Sequence, residues 1–216
     1  GHDADLALAR AQCFGFGVTD RFKTWPFGDE WLWQRLSGRT ETTSVHRFPG
    51  LLRLEPSATR GIYRRSFLDR HAIRFPEGIL YEDLPFHFAT VGQSERVIIH
   101  PSVLLYYRVG RTGQITLQSG ERRFEMLESA RQAFSIVDQL AVDEDASAAA
   151  YCLACRMLYW CGTYVAASRR HEYMAKATEL ARAFVGKRPL NWREWCEGDK
   201  EQLIVEALTT GGARLL

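Results

Sequence analysis

Lysine is nearly missing from this chain: 4 of its 216 residues, against 24 arginines. No charge excess accompanies that bias, since 28 basic residues face 26 acidic ones for a net charge of +2, which excludes a general nucleic-acid binder. Proline and glycine are held to 7 and 17 residues without any repeat, so the chain is neither collagen-like nor of low complexity. The 5 cysteines are odd in number and sit in apolar surroundings, which argues against a disulfide scaffold and for a reducing compartment. Cys152 and Cys155 form a CxxC, but no second cysteine or histidine pair follows at zinc spacing, so no metal site is expected in this chain. No secretory signal opens the sequence and Asn191 lies outside any glycosylation sequon, so a cytoplasmic protein is expected.

One apolar run is long enough to span a membrane, Ala148 to Ala167, and Arg156 interrupts it near the middle. A central arginine costs about 2.5 to 3.5 kcal/mol on insertion, and alanine offers little in return. The run is therefore expected to be a buried helix in which Arg156 finds a carboxylate or carbonyl partner.

What is present is ordinary globular material, 46% hydrophobic and 12% aromatic, enough for one large domain or a domain with an appendage. The periodicity predicts a strand over Asp5–Val18, a loop and short helix over Trp25–Leu36, a helix within Ser57–His71 and another opening at Asp83. Asp83 fits an N-cap and Pro85 the first turn. Two β-runs follow, Arg96–His100 and Val103–Val109, parted by Pro101 and Ser102. Beyond Gly120 only helices are expected: Glu121–Leu140, Ala146–Ser168, His171–Val185 and Trp192–Leu208. This is an α+β fold class, residues 1–118, followed by an α-helical region, residues 119–216.

Nine arginines fall between Arg35 and Arg74, facing only Glu41, Glu55 and Asp69. They read either as a surface for anions or as a solvated face. The aromatic cluster of Trp25, Phe27, Trp31 and Trp33 reads either as core or as the wall of a sugar site.

The candidate for chemistry is Glu82–Asp83, at the mouth of a helix after a proline-glycine turn, near Arg74, Tyr81 and His87 in sequence. The pair Glu144–Asp145 has the same composition but needs no reading beyond capping and dipole compensation. The surroundings separate the two. "IRFPEGILYEDLPFHF" followed by "VLLYYRVGRTGQIT" resembles the acceptor half of family 2 glycosyltransferases of the GT-A fold, from Leu54 through Thr116, and "DADLALARAQCFGF" is similar to the strand that follows their nucleotide-binding half.

The resemblance implies that Asp83 is the catalytic base of an inverting sugar transfer, with Glu82 positioning it or binding acceptor hydroxyls. Arg108, Arg111, Gln114 and Thr116 fall on a loop that in such enzymes covers the donor diphosphate. The QxxRW motif of processive synthases is absent. By the same resemblance, the complete enzyme uses a nucleotide-diphosphate sugar, a saccharide or lipid-linked acceptor and a divalent metal, Mn or Mg, in building bacterial surface polysaccharide or glycolipid, with peripheral contact at the inner face of the membrane. The nucleotide-binding half with its DxD motif is not recognised here, and Asp3–Ala4–Asp5 runs straight into the later strand. The isolated chain is therefore expected to be inactive. A second reading is a non-catalytic binding or interaction module whose helices form a partner surface.

Overall fold

The computed structural model describes residues 3–15, 24–36, 41–114, 120–140, 142–187 and 190–211. It is a mixed α and β structure, as the sequence predicts, built on one sheet and a stack of helices. Strand β1 (Leu6–Gly15) buries Leu6 and Leu8 on one face and Ala9, Ala11 and Cys13 on the other, the pattern of an inner strand covered on both sides. It runs parallel to β5 (Val97–Val109), from Leu6 opposite Val97 to Gly15 opposite Val109. The short strands β2 (Thr24–Pro26) and β4 (Gly61–Tyr63) pair with β1, and β3 (Glu41–Thr43) with the start of β5, all antiparallel.

Two expectations need correction here. The separate runs on either side of Pro101 and Ser102 are one strand, because the register shifts at Ala9, Arg10 and Ala11 absorb the proline as a bulge. The short helix expected within Ser57–His71 is found as α2 (Arg65–Arg70) with Phe67 and Leu68, but Ile62 and Tyr63, read into the same helix, belong to β4 after a 3-10 turn (Ala58–Arg60), since Gly61 to Tyr63 pair with β1.

Helix α1 (Glu30–Arg35) lies in the aromatic stretch, and α3 (Asp83–Gln93) packs against α4 (Glu125–Leu140). Helix α5 (Glu144–Thr163) is buried from Ala146 through Cys155 and sits among α4, α6 (Ala167–Val185), α7 (Gly198–Thr210) and the 3-10 turn at Pro49–Arg53. Alanine lets its neighbours approach closely. At Gly162 a Cβ would meet Met174 Sδ at 2.6 Å and the Tyr173 ring at 3.0 Å. Asp143 caps α5 through Ala146 N–H at 2.8 Å, while Glu144 and Asp145 occupy the first turn.

The last helix starts later than Trp192. Trp192–Trp195 is a 3-10 turn, and the chain breaks at Cys196 and Glu197 before Gly198, whose φ of +69° favours glycine. One hydrophobic core runs from Leu6 on the sheet through Leu51, Leu84 and Ala133 to Leu208, so the two regions share their interior. No helix among the described residues is long and apolar enough to cross a membrane.

The arginines of residues 35–74 do not make one cationic surface. Arg53 and Arg60 are buried, paired with Glu201 and Asp29. Arg65 and Arg74 both face Asp69, Arg64 donates to the Ala4 carbonyl, and Arg35 lies over Trp31 and Trp195. Arg39 is outside the described residues.

Candidate active site

The ordering of the buried charges begins with Asp29, just ahead of α1. Its carboxylate accepts from Arg60 Nη1 at 2.5 Å and from the Glu55 amide at 2.9 Å. Arg60 also donates to the Ala9 carbonyl at 3.2 Å and lies over the Phe27 and Trp33 rings. These contacts fix the 55–57 segment against β1. Glu55 then receives Arg156 from α5, whose Nε also lies 3.8 Å from Glu201 of α7. Burial works against the Arg156 charge, but the Glu55, Glu201 and Asp29 carboxylates outweigh it and raise its pKa. The partner that the sequence demands for Arg156 is thus supplied by both regions of the chain.

Above this layer opens a cavity of about 330 Å³. Cys13 of β1 lies beside Tyr107 of β5 and with Val109 lines its sheet floor, and Phe27, the 55–57 segment, Tyr81, Asp83, and Arg156, Met157 and Trp160 of α5 complete the lining. Phe27 meets Tyr107 edge-on at 5.7 Å, and Tyr81 meets Trp160 perpendicularly at 6.2 Å. Flat apolar rings beside carboxylates suit a ligand with both CH faces and hydroxyls.

Asp83 is the first residue of α3, and the cap position belongs to Glu82, which makes no capping bond through its side chain. The cap expected of Asp83 is therefore corrected: its Oδ1 accepts the Ala58 amide at 3.1 Å, across the cavity mouth, rather than a bond within its own helix. Burial pushes the Asp83 carboxyl up, opposed by the Ala58 N–H and reinforced by Glu82. Tyr63, beside it, is pushed up to about 12 by burial and by the Asp83 charge.

The other candidates divide. Gln114 is buried and donates to the Tyr107 hydroxyl and the Arg108 carbonyl at 3.2 Å each, and its Oε1 accepts the Arg111 amide at 3.3 Å. It braces a residue of the cavity floor. Arg108 is exposed on the face of β5 opposite Tyr107 and Val109, lying over Phe14. Arg111 is exposed in the turn after β5, and Thr116 lies outside the described residues. His87 is turned away into the core, Nε2 against the Leu51 carbonyl at 3.1 Å, and burial lowers its pKa to about 4. Arg74 bonds Asp69 at 2.9 Å.

No metal cluster of three or more His, Cys, Asp or Glu exists among the described residues. Asp5 is spent on Ser94 Oγ and the amides of Glu95 and Arg96, and Asp3 lies by Arg64, so Asp3–Ala4–Asp5 does not fit a metal. Cys152 faces Cys196 at 3.6 Å, and both are buried.

Sequence reasoning missed Asp29, Glu55, Arg60 and Trp160. Their residue types carry no local signature, and of the four aromatics read as core or sugar wall, Trp25, Phe27, Trp31 and Trp33, Phe27 lines the cavity.

No protein-family model and no curated protein sequence matches the chain. Solved structures do match, among them two of S. aureus TarS. A crystal structure of residues 1–349 of the S. aureus glycosyltransferase TarS in complex with UDP superposes with a TM-score of 0.59 at 14% identity, covering 96% of this chain and 55% of that one. A second crystal structure of TarS 1–349 gives 0.60 at 15%, with the same coverage. The chain thus spans about half the length of the structures it matches, and over that span it has a glycosyltransferase-like fold.

Proposed function

We propose that the chain is the acceptor-binding half of a family 2-like glycosyltransferase that transfers a sugar from a nucleotide-diphosphate donor with inversion. The observation carrying this reading is the aromatic cavity that the half-buried Asp83 lines together with Arg156, Met157 and Trp160 of α5, within a fold shared with TarS. Asp83 takes the proton from an acceptor hydroxyl as that oxygen attacks the anomeric carbon, and the bond to the diphosphate breaks on the opposite side. The rings of Trp160, Tyr107 and Phe27 hold the sugar faces, and Glu55, fixed by Asp29 and Arg156, accepts from acceptor hydroxyls.

Arg111 in the turn after β5 offsets leaving-group charge. The divalent metal and the nucleotide are held by residues outside this chain, since among the described residues no cluster of carboxylates fits a metal. The acceptor is a saccharide or lipid-linked saccharide of a bacterial cell-surface polymer, reached from the cytoplasmic side. UDP accompanies TarS in its crystal, which supports a nucleotide-sugar donor here.

The test is Asp83→Asn in an enzyme carrying both halves, with turnover measured across nucleotide-sugar donors. A loss of roughly 10² to 10⁴ in rate with the fold intact is expected, and Glu82→Gln should cost less. Near-normal turnover would remove Asp83 as the base. Sugar transfer by the 216-residue chain alone would overturn the division of labour.

A further inference from the structure

Immediately before Asp83 the backbone does something unusual: Tyr81 adopts a φ of +66°, a left-handed conformation that a bulky aromatic residue rarely takes without support. The support comes from the helical region. Ser129 of α4, fully buried, donates its hydroxyl to the Tyr81 carbonyl at 2.7 Å. That same carbonyl accepts the Leu84 amide at 3.2 Å, so one oxygen ties α4 to the first turn of α3. Glu125 Oε2 accepts the Leu80 amide at 2.6 Å, and Arg122 holds the Glu125 carboxylate and its charge. The Tyr81 hydroxyl lies with Arg123 and the Cys161 thiol, and buried Arg123 is stacked 4.8 Å from the centres of both Trp160 and Tyr164.

We propose that Ser129, Glu125 and Arg123 are positioning residues that latch Tyr81 in its left-handed conformation and thereby set Asp83 against the Ala58 amide. As to chemistry, the proposal rests on the reading of Asp83 as base; as to geometry, it does not. A tyrosine released from these contacts relaxes to negative φ, which rotates the entry to α3 and carries the Asp83 carboxylate off Ala58. The helical region then does more than fill space behind the sheet. It holds the backbone that aims the base and, through Trp160, part of the lining of the same cavity.

The experiment follows the carboxyl titration of Asp83 by NMR in the 216-residue chain labelled at aspartate, assigned with Asp83→Asn. Ser129→Ala and Glu125→Gln should each move the Asp83 midpoint, because the burial that pushes the carboxyl up and the Ala58 N–H that holds it down change together when the entry to α3 rotates. Ser129→Thr, which restores the hydroxyl, should return it. Asp143→Ala, which removes only the α5 cap, should lower the melting temperature without moving the midpoint. Should Ser129→Ala and Glu125→Gln both melt lower with the Asp83 midpoint unmoved, the latch is refuted and the contacts are packing alone. If the midpoint moves while Asp83→Asn still supports sugar transfer in the complete enzyme, the latch stands and the catalytic role falls.

Discussion

Arginine and glutamate are used twice in this molecule, to opposite effect. On the outer faces of α4 and α6 they form ladders at helical spacing, Arg131 on Glu128 and Arg169 and Lys176 on Glu172, all facing water. Between the sheet and the helices they form an inner layer, Asp29 with Arg60 and Arg53 with Glu201 buried, and Glu55 with Arg156 half-buried at the cavity. The ladders add little to stability, because solvent screens them and long side chains lose freedom in making them. The inner layer is costly to break, since each charge removed strands its partner away from water. The comparison teaches where the two regions are joined: the cavity with Asp83 opens directly above the inner layer, and its walls are fixed by charges from both regions.

The strongest way to test that contrast is Glu201→Ala, which strands Arg53 in the core and should cost about 3 to 5 kcal/mol in urea unfolding. Replacing Arg53 and Glu201 together with methionine should recover most of that loss. A double variant as unstable as the single one would show that the pair contributes net stability rather than only avoiding an unpaired charge.

The buried His87 gives a pH test of the same kind. Its folded pKa is lowered to about 4, below the ordinary 6.5, because burial disfavours the imidazolium. The stability it permits is full above about 6.5 and is lost as pH falls towards 4, where the unfolded chain binds the proton and the native one resists it. Integrated over that window, roughly 3 kcal/mol should disappear. His87→Gln should flatten this part of the profile.

Gly162→Ala forces a methyl against Met174 and Tyr173 and should cost about 1 to 3 kcal/mol, read as a lower denaturation midpoint. Asp143→Ala should cost about 1 kcal/mol through the lost α5 cap. At the bottom of the scale stands Arg131→Ala on the outer ladder, for which the urea midpoint should not move. A clear shift there would erase the distinction between the two sets of charges.

Periodicity and punctuation determined much of this protein by themselves. The α+β order, the opening strand, the helix at Asp83 and the buried α5 were legible because each is a local pattern: alternation, a proline in a first turn, a long apolar run. Arg156 announced its need for a partner because a charge in such a run has no other resolution. What the sequence could not name was the partner. Glu55 lies 101 residues away and Glu201 45, and nothing local marks either as facing inwards. The two β-runs fused, and Gly61 to Tyr63, read into the helix before His71, form a strand ahead of it, because pairing with β1 outweighed the breaks and propensities within each segment.

At the site, the Glu82–Asp83 pair and the aromatic cluster were visible as residues. Only the tertiary structure decided that Asp83 bonds Ala58 instead of capping its own helix, and that the cavity wall comes from α5. It also decided that Tyr81 must be left-handed. Those features depend on groups brought together from distant parts of the chain, where burial and pairing replace local spacing as the governing terms.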